Sequence, residues 1–343
     1  METILLKIHN VHNPEEYQKA AHLLEDGQVV GMPTETVYGL AGNAFSEEAV
    51  KRIFEAKGRP QDNPLIVHVS EFEEIYNLVR EVPEKAKMLA DKFWPGPLTI
   101  ILPKSDKVPL CVTGGLDTVA VRCPAHPVAN MLIKATGLPL AAPSANLSGK
   151  PSPTKAVHVY NDLKGRIPMV IDGGECEEGV ESTVITLATP VPKLLRPGNI
   201  TLGQLKEVLG EVAVDDAVLN PLKEGDRVSS PGMKYKHYSP DAQITLVCGE
   251  YENFCRFVNA NKEDGTYAMV FDGEGEGLDV PVINYGDYRN YRELSHALFD
   301  ALRYLDEKGA KKCFVRCPDG SNDDNLAVLN RLLRAAAFNV IEV

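Results

Sequence analysis

Two short segments of the sequence carry the residue types that bind phosphate oxygens. Lys57 and Arg59 flank a glycine where a predicted helix ends and a proline-bounded loop begins, and we expect both side chains to be exposed. A lysine supplies a point charge and an arginine a planar fork of donors, so the pair predicts a phosphate clamp. Residues 142–153, APSANLSGKPSP, follow a buried strand and offer hydroxyls and backbone N–H groups that can cradle an oxyanion.

Both segments also have a purely structural interpretation. Cations at the end of a helix offset its dipole, and a loop rich in serine and glycine can be a flexible linker. However, Pro143, Pro151 and Pro153 stiffen the loop, and a buried strand precedes it. These features favour an anion site.

Five further polar side chains lie beside predicted strands, and each alone is weak evidence. Thr34 lies in PTETVYGL, and His68 in PLIVHV, where a histidine is more often a core residue than a ligand. Arg122 ends TVAVR and is either a carboxylate anchor or an edge residue. Ser182 in GVESTV begins a strand, and Arg196 in LLRPG ends one. Together they gather cations and hydroxyls at one sheet edge, where α/β proteins bind ligands.

The sequence lacks the common signatures of covalent and metal catalysis. It contains no GxxxxGK[ST] phosphate loop, no HExxH zinc motif, no GxSxG nucleophile elbow and no paired-cysteine metal spacing. We therefore expect catalysis by positioning and charge stabilisation, without a protein-bound metal ion.

The elements that must position these residues alternate between helices and short strands. Helices are predicted at 14–26 and 46–57, and a closing helix at 199–209 has capping-box spacing. Strands are predicted at 28–33, 64–69, 98–102, 118–122, 138–142, 168–172 and 181–187. This alternation indicates an α/β domain, residues 1–210, with a mixed, twisted sheet.

A smaller second unit follows a change in composition. Residues 211–240 are acidic at first and then rich in tyrosine, lysine and proline without periodicity, and we interpret them as a linker. Residues 241–343 return to strict alternation, which predicts a small Rossmann-like, mostly parallel sheet. No GxGxxG motif follows its strands, so we do not expect a dinucleotide site there.

Composition excludes several classes of protein. The chain has 343 residues, 44% of them hydrophobic, which is enough for two cores, and no stretch is apolar enough for a membrane span. The N-terminus lacks the pattern of a secretory signal, and seven cysteines without a CxxC pair indicate reduced thiols in a cytoplasmic protein. The net charge is −12 and neither half has a basic excess, which argues against a primary role in nucleic-acid binding.

Taken together, the motifs resemble those of a known family. PTETVYGL, AKGRP, WPGPLT, GLDTVAVR, APSANLSGKPSP, GVESTV and LLRPG resemble segments of the YrdC/TsaC-type threonylcarbamoyl-AMP synthases, and the linker PGMKYKHYSP and the second unit resemble the long, two-domain form. The resemblance implies a YrdC-type first domain. It also implies the conversion of L-threonine, bicarbonate and ATP into L-threonylcarbamoyl-adenylate and pyrophosphate, the first step of the threonylcarbamoyladenosine (t6A37) modification of tRNA.

The resemblance also implies roles for individual residues. L-threonine is expected to contact Thr34, His68, Arg122, the backbone at Ala142, and Ser182. ATP is expected to contact Lys57, Arg59, Asn63, Thr118, Ser144, Asn146, Ser152, Arg196 and, from a linker folded over the site, Tyr235. Lys57 and Arg59 are the expected catalytic residues. Mg²⁺ is expected to arrive on the ATP phosphates, because no Asp/Glu cluster forms a cage for it.

Other functions stay open at this point. One is a carbamoyl-adenylate-forming enzyme of the same fold, although such chains carry additional acylphosphatase and zinc modules. Another is a YrdC-type module that binds double-stranded RNA without chemistry. The acidic second domain is also a candidate interaction module, and the expected partners include tRNA and the proteins that transfer the threonylcarbamoyl group to it.

Overall fold

The computed structural model describes residues 1–61, 63–221, 237–320 and 322–343. In these ranges the chain forms a mixed sheet of eleven strands followed by a parallel sheet of five. The predicted fold, a mixed α/β domain with a smaller Rossmann-like domain after it, is confirmed.

The first sheet has the strand order β1-β8-β2-β3-β7-β4-β6-β5-β9-β10-β11. Its strands are β1 (Ile4–Lys7), β2 (Val30–Met32), β3 (Gly39–Asn43), β4 (Ile66–His68), β5 (Leu98–Pro103), β6 (Thr118–Arg122), β7 (Leu140–Ala141), β8 (Met169–Asp172), β9 (Thr183–Thr186), β10 (Lys193–Arg196) and β11 (Ala213–Val214). The accompanying helices are α1 (Gln18–Glu25), α2 (Glu47–Lys57), α3 (Glu84–Phe93), α4 (Leu110–Thr113), α5 (Pro127–Thr136), α6 (Ala156–Leu163) and α7 (Leu202–Leu209).

Local sequence explains where the predicted helices begin and end. The Ser46 side chain accepts a backbone hydrogen bond from the first turn of α2, and Gly58 ends that helix with a left-handed φ of 63°. Thr201 and Gln204 form the predicted capping box of α7. The predicted helix 14–26 opens with a 3-10 turn and continues as α1.

The strands predicted in the first domain are all present, several of them shorter than predicted. Strand β3 was not expected, because its sequence GLAGN has no β-branched residue. Close packing accounts for its glycines, since a Cβ at Gly42 would lie 3.2 Å from Cδ1 of Ile53. Strand β1 is also absent from the predicted elements.

The strand order brings distant polar residues into one row. β6 lies between β4, which is parallel to it, and β5, which is antiparallel. The register pairs Arg122 with His68 on one side and with Thr99 on the other. Three polar side chains from three strands therefore share one face of the sheet.

The second domain has the strand order β14-β13-β15-β12-β16, with all neighbouring pairs parallel. Its elements are β12 (Gln243–Cys248), α8 (Tyr251–Ala260), β13 (Thr266–Val270), β14 (Val282–Asn284), α9 (Tyr291–Glu307), β15 (Lys312–Arg316), α10 (Leu326–Ala335) and β16 (Val340–Glu342). Leu294, Leu298, Leu302 and Leu305 of α9 are buried and form an apolar stripe along one side of the helix. None of the described helices is long and apolar enough to cross a membrane.

The predicted linker, residues 211–240, is described at its two ends. At the first end, β11 pairs with β10 and extends the first sheet. At the second end, the backbone N–H of Ser239 donates to the carbonyl oxygen of Gly149 at 2.9 Å. Residues 222–236, and with them Tyr235, lie outside the described residues.

The expectation that all seven cysteines are reduced thiols is wrong for one pair. Cys248 ends β12, Cys317 follows β15, and the two form a disulfide. The register pairs Val247 with Arg316, so the next residue on each of these parallel strands meets the other. Their separation of 69 residues matches no cysteine motif, which is why the sequence does not reveal the pair.

Gly179, in the loop before β9, lies against α9 with no room for a side chain. Its φ is 75°, and a Cβ would lie 2.3 Å from the Cα of His296 and 2.5 Å from the carbonyl oxygen of Ser295. Gly179→Ala should disturb the contact between the domains and lower the free energy of unfolding by about 3 kcal/mol, from strain and overlap together. Thermal unfolding of the purified protein measures this loss.

Gly174→Ala is the matched control. Gly174 lies in the same loop with a φ of 90°, but no atom outside its chain neighbours lies within 4 Å of where a Cβ would stand. This substitution should cost only about 1 kcal/mol, from backbone conformation. Equal losses in the two variants would contradict the close contact at Gly179.

Candidate active site

One pocket on the first domain gathers most of the predicted site residues. It encloses about 700 Å³, its mouth included, and lies where several strands of the first sheet end. Of the predicted residues that the structure describes, those lining it are Thr34, Lys57, Arg59, His68, Arg122, Ala142, Ser144, Asn146, Ser182 and Arg196.

Most of these side chains stand at the end of an element. His68, Arg122 and Arg196 are the last residues of β4, β6 and β10. Lys57 is the last residue of α2, and Ala142 directly follows β7. Side chains at such positions can face a ligand while the strand or helix behind them stays rigid.

Arg122 is buried, and three of its five N–H groups are engaged. Nη2 lies 2.7 Å from Oε1 of Glu35, Nη1 donates to Oγ1 of Thr36 at 2.8 Å, and Nε donates to the carbonyl oxygen of Gly96 at 3.3 Å. Burial alone would raise the pKa of Glu35, but the charge and hydrogen bond of Arg122 hold it below its ordinary value. The Glu35 carboxylate is therefore ionised at neutral pH, and two N–H groups of Arg122 have no partner among the described residues.

His68 is neutral beside this ion pair. Burial, followed by the charge of Arg122, lowers its pKa to about 3. Nδ1 lies 3.1 Å from the carbonyl oxygen of Ile66, which can only accept, so Nδ1 carries the proton and Nε2 is an acceptor. His68 therefore brings an uncharged hydrogen-bonding group to the pocket.

Lys57 is buried, so the expectation of an exposed cation on a loop is wrong. Helix α2 continues through Lys57, whose Nζ donates to the carbonyl oxygens of Ser144 at 2.5 Å and Asn146 at 2.7 Å. Burial, followed by the charge of Arg59, lowers the pKa of Lys57 well below its ordinary value. Arg59 is half-buried. The Lys57 ammonium thus holds the loop 142–153 in place at the pocket wall.

The loop 142–153 is folded by its own polar side chains. Oγ of Ser144 donates to Oδ1 of Asn146 at 2.6 Å, and Nδ2 of Asn146 donates to the carbonyl oxygens of Leu147 and Lys150 at 2.8 and 2.9 Å. These bonds exclude the interpretation of the segment as a flexible linker. They leave Ser144 and Asn146 at the pocket surface.

Arg196 and Ser182 form a second polar wall. Nε of Arg196 donates to the carbonyl oxygen of Ser182 at 3.0 Å, and Nη2 donates to its hydroxyl at 3.1 Å. That hydroxyl lies 2.8 Å from Oγ1 of Thr99, the register partner of Arg122. Burial lowers the pKa of Arg196 to about 10, so the guanidinium is still charged at neutral pH.

Glu181 is a pocket residue that was not among the predicted ligands. Oε1 accepts from Ser152 at 2.5 Å, and Oε2 accepts from Nε of Arg331, on α10, at 2.9 Å. Burial would raise the pKa of Glu181, but the charges of Arg331 and then Arg196 lower it. The second domain thus contacts the wall of this pocket from outside the lining.

Three of the predicted ATP contacts that the structure describes are not on the pocket lining. Ser152 is fully buried and reaches the pocket through Glu181. Asn63 is fully buried ahead of β4, and Thr118 begins β6, about 13 Å along the strand from Arg122 at roughly 3.3 Å per residue. Tyr235 lies outside the described residues. The contacts of these residues with ATP stay predictions.

His237 and Tyr238, at the described end of the predicted linker, line the pocket. Burial, followed by the charge of Arg59, lowers the pKa of His237 to about 3. The Tyr238 ring packs on Phe299 of α9, with 5.2 Å between ring centres. The contact of this segment with the site was implied by the family resemblance, because its composition indicated only a linker.

Family models match both domains. One, described as "Telomere recombination" and named for Sua5, YciO and YrdC, matches residues 22–198. A second, described as "Threonylcarbamoyl-AMP synthase, C-terminal domain", matches residues 200–337.

Relatives match over nearly the whole chain. The threonylcarbamoyl-AMP synthase of Pyrococcus abyssi is 46% identical, across 99% of this chain and 100% of that one, and that of Bacillus subtilis is 45% identical, across 96% and 95%. The crystal structure of P. abyssi Sua5 complexed with L-threonine has a TM-score of 0.93 and covers 99% of this chain and 100% of that one. A structure of that protein with a histidine and the adjacent tyrosine replaced by alanine has a TM-score of 0.92, at 45% identity and across 99% of this chain and 98% of that one.

The fold and the cation-lined pocket define a YrdC-type nucleotidyltransferase with a second domain. The chain belongs to the threonylcarbamoyl-AMP synthase family, in its two-domain form. The resemblance seen in the sequence motifs is therefore confirmed.

Glu35→Gln tests the buried ion pair. Because the pKa of Glu35 is lowered in the folded protein, its ionisation stabilises the fold above pH 4.5, and this contribution is lost as the pH falls through the lowered value. At pH 7 the variant should lose about 3–5 kcal/mol of unfolding free energy, because Arg122 stays buried without its partner. The difference from wild type should shrink below about pH 4.5, measured by denaturant unfolding from pH 7 downward.

Glu55→Gln is the control, because Glu55 is exposed and its ion-pair partner among the described residues is Lys51 on the same helix. It should change stability by less than about 0.5 kcal/mol at every pH. A Glu35→Gln loss that stays constant with pH would show that the carboxylate charge does not stabilise the fold.

Proposed function

We propose that this pocket is where the synthase joins L-threonine, bicarbonate and ATP into L-threonylcarbamoyl-adenylate and pyrophosphate. The proposal rests on one observation: the pocket holds two sets of cations that differ in their partners within the protein. Arg122 is already paired with a carboxylate and keeps two donors, whereas Lys57, Arg59 and Arg196 concentrate positive charge beside hydroxyls. The first arrangement suits an amino-acid carboxylate, and the second suits a chain of phosphates.

Arg122 is the proposed anchor of the threonine carboxylate. Its two remaining N–H groups can form a charge-assisted fork without giving up Glu35. Nε2 of His68, one strand away, accepts from the nitrogen or hydroxyl of threonine. Because the pKa of His68 is about 3, the imidazole is neutral at neutral pH, so it cannot act as a general acid and serves to orient the substrate.

The reaction forms two bonds. The threonine nitrogen bonds to the bicarbonate carbon as water leaves, which gives a carbamate. A carbamate oxygen then attacks the α-phosphorus of ATP, the bond to the β-phosphate breaks, and pyrophosphate leaves. Both steps need alignment and charge stabilisation more than covalent help from the protein, in keeping with a pocket of fixed cations and hydroxyls.

The phosphates are the proposed ligands of Arg59, Arg196 and the loop that Lys57 holds. ATP carries about four negative charges at neutral pH, more than these three cations offset. Among the described residues no group of three His, Cys, Asp or Glu side chains is placed to hold a metal ion. We therefore propose that Mg²⁺ enters on the phosphates as part of the substrate and keeps several of its waters.

His237 and Tyr238 are the proposed linker contacts with the nucleotide. They are the chain's one His-Tyr dipeptide, and both line the pocket. One solved structure of the P. abyssi relative has a neighbouring histidine and tyrosine replaced by alanine, and this supports the choice of an adjacent His-Tyr pair here. This support applies to His237 and Tyr238, whereas the contact expected for Tyr235 stays a prediction outside the described residues.

The product is a mixed anhydride that water attacks easily. We propose that it passes, in the cytoplasm, to proteins that transfer the threonylcarbamoyl group to tRNA adenosine. A net charge of −12 disfavours tight direct binding of tRNA, so any contact with tRNA itself should be weak.

The direct test is pyrophosphate release from ATP and Mg²⁺ with bicarbonate, with threonine present, absent or replaced by serine. We expect release that needs both bicarbonate and threonine. Release without threonine would contradict the proposal. ATP binding without any turnover would instead favour the RNA-binding module or the carbamoyl-adenylate-forming enzyme as the function.

Arg122→Lys separates the threonine site from the ATP site. Lysine keeps the charge beside Glu35 but loses the planar fork, so the KM for threonine should rise about 10- to 100-fold. The KM for ATP should stay within about threefold, since ATP contacts other cations. Steady-state kinetics with each substrate varied in turn measure both values.

Arg52→Lys is the matched control. Arg52 lies on α2 outside the pocket, where it pairs with Glu48 and donates to the carbonyl oxygen of Gly27. It should leave both KM values unchanged. If Arg122→Lys raised the two KM values equally, the carboxylate assignment would be wrong.

A further inference from the structure

The second domain buries one arginine against the active-site wall. Arg331 of α10 is 0% exposed. Its Nε and Nη2 donate to the side chain and backbone oxygens of Glu181 at 2.9 and 3.3 Å, and its Nη1 donates to the carbonyl oxygen of Pro197 at 2.7 Å. Glu181 directly precedes Ser182, and Pro197 directly follows Arg196. One side chain of the second domain therefore joins the two segments that form a wall of the pocket.

Glu181 is a carboxylate inside a pocket proposed to bind a polyanion. The charged and titratable groups that act on it are Arg331, Arg196, Lys57 and Tyr238. Three of these line the pocket with Glu181, and Arg331 approaches from outside the lining. Without Arg331, the strongest remaining positive charge acting on Glu181 would be that of Arg196, which would then be offset within the protein.

Arg331 also supports the aromatic wall. Its guanidinium carbon lies 5.7 Å from the ring centre of Tyr238, which packs on Phe299 from another direction. Tyr238 has a φ of 63°, a conformation that a bulky residue keeps only where its surroundings hold it. Arg331 thus contacts residues on two sides of the same pocket.

We propose that Arg331 is a positioning residue for the ATP side of the active site, acting through Glu181 and Tyr238. By pairing with Glu181 from behind, it leaves the charge of Arg196 available to the nucleotide phosphates. The inference rests on the function proposed above and gives the second domain a direct part in it. Threonine should be unaffected, because Arg122 has a carboxylate partner of its own in Glu35.

A second arginine, Arg303, also connects the two domains. It serves as the control that separates positioning of the ATP side from simple attachment of the domains. Arg303 of α9 donates to both carboxylate oxygens of Asp162 at 3.1 and 2.8 Å and to the carbonyl oxygen of Pro151 at 2.6 Å. It crosses the same domain boundary with as many hydrogen bonds, but neither Arg303 nor its partners Asp162 and Pro151 line the pocket. Loss of attachment alone should therefore affect Arg303→Met and Arg331→Met alike.

The experiment compares full-length wild type, Arg331→Met, Arg331→Lys and Arg303→Met. Pyrophosphate release gives the KM for ATP and for threonine, and calorimetry gives the affinity for a non-hydrolysable ATP analogue. Arg331→Met should raise the KM for ATP and weaken the analogue at least tenfold, with less than a threefold change for threonine. Arg331→Lys, which keeps the charge, should lie between Arg331→Met and wild type. Arg303→Met should keep both KM values within threefold.

A double variant tests whether the effect passes through Glu181. Glu181→Gln with Arg331→Met removes the buried charge together with its partner, so adding Arg331→Met to Glu181→Gln should change the KM for ATP less than threefold. The acid limb of the kcat/KM profile should also move to higher pH in Arg331→Met, because burial then raises the pKa of Glu181 against fewer cations.

Three results would overturn the inference: equal changes in the two KM values, equal effects of Arg303→Met and Arg331→Met, or an unchanged Arg331→Met effect in the Glu181→Gln background. If Arg331→Met does not fold, Arg331→Lys and the double variant carry the same comparison. Wild type that binds the ATP analogue but makes no product would contradict the proposed function. The analogue affinities would still decide the role of Arg331.

Discussion

Positive charge must be buried in this pocket before any substrate arrives, and much of the surrounding structure follows from that requirement. A desolvated cation is costly unless it has hydrogen-bond acceptors or a counter-charge nearby. Each cation meets the cost differently. Arg122 has the carboxylate of Glu35, Lys57 has two backbone carbonyl oxygens, and Arg196 has the carbonyl and hydroxyl of Ser182. These partners also fix where each cation can point.

The same requirement explains why the two domains are joined so closely. Glu181 lowers the cost of burying Arg196 but would cancel its charge toward a nucleotide. The arginine that balances Glu181 comes from a helix of the second domain, about 150 residues further along the chain. The second domain thus supplies the positive charge that balances this buried carboxylate of the first domain. The two domains are also connected through the linker, because the ring of Tyr238, near its end, packs on Phe299 of the second domain.

The sequence revealed the fold class, three of the helices of the first domain and the segments that meet at the pocket, because these depend on local periodicity, caps and motif composition. It did not reveal β3, whose glycines are explained by the neighbours that pack on them and not by strand propensity. It placed Lys57 on an exposed loop, since a lysine at a helix end is usually solvated and only tertiary packing turns it inward. No motif or pattern in the sequence pointed to Arg331. Its role depends on a contact between distant segments, and its local sequence, NRLLR, is that of an ordinary amphipathic helix.

The row formed by His68, Arg122 and Thr99 has a consequence for how the chain can change in length. Side chains alternate between the faces of a strand, so a one-residue insertion or deletion within β4, β5 or β6 would turn the functional group on that strand to the opposite face. Such changes are far more disruptive there than most substitutions. The exposed turn at residues 261–264, between α8 and β13, has no comparable constraint. It is a natural place to insert a label or a fused module without disturbing the alignment at the pocket.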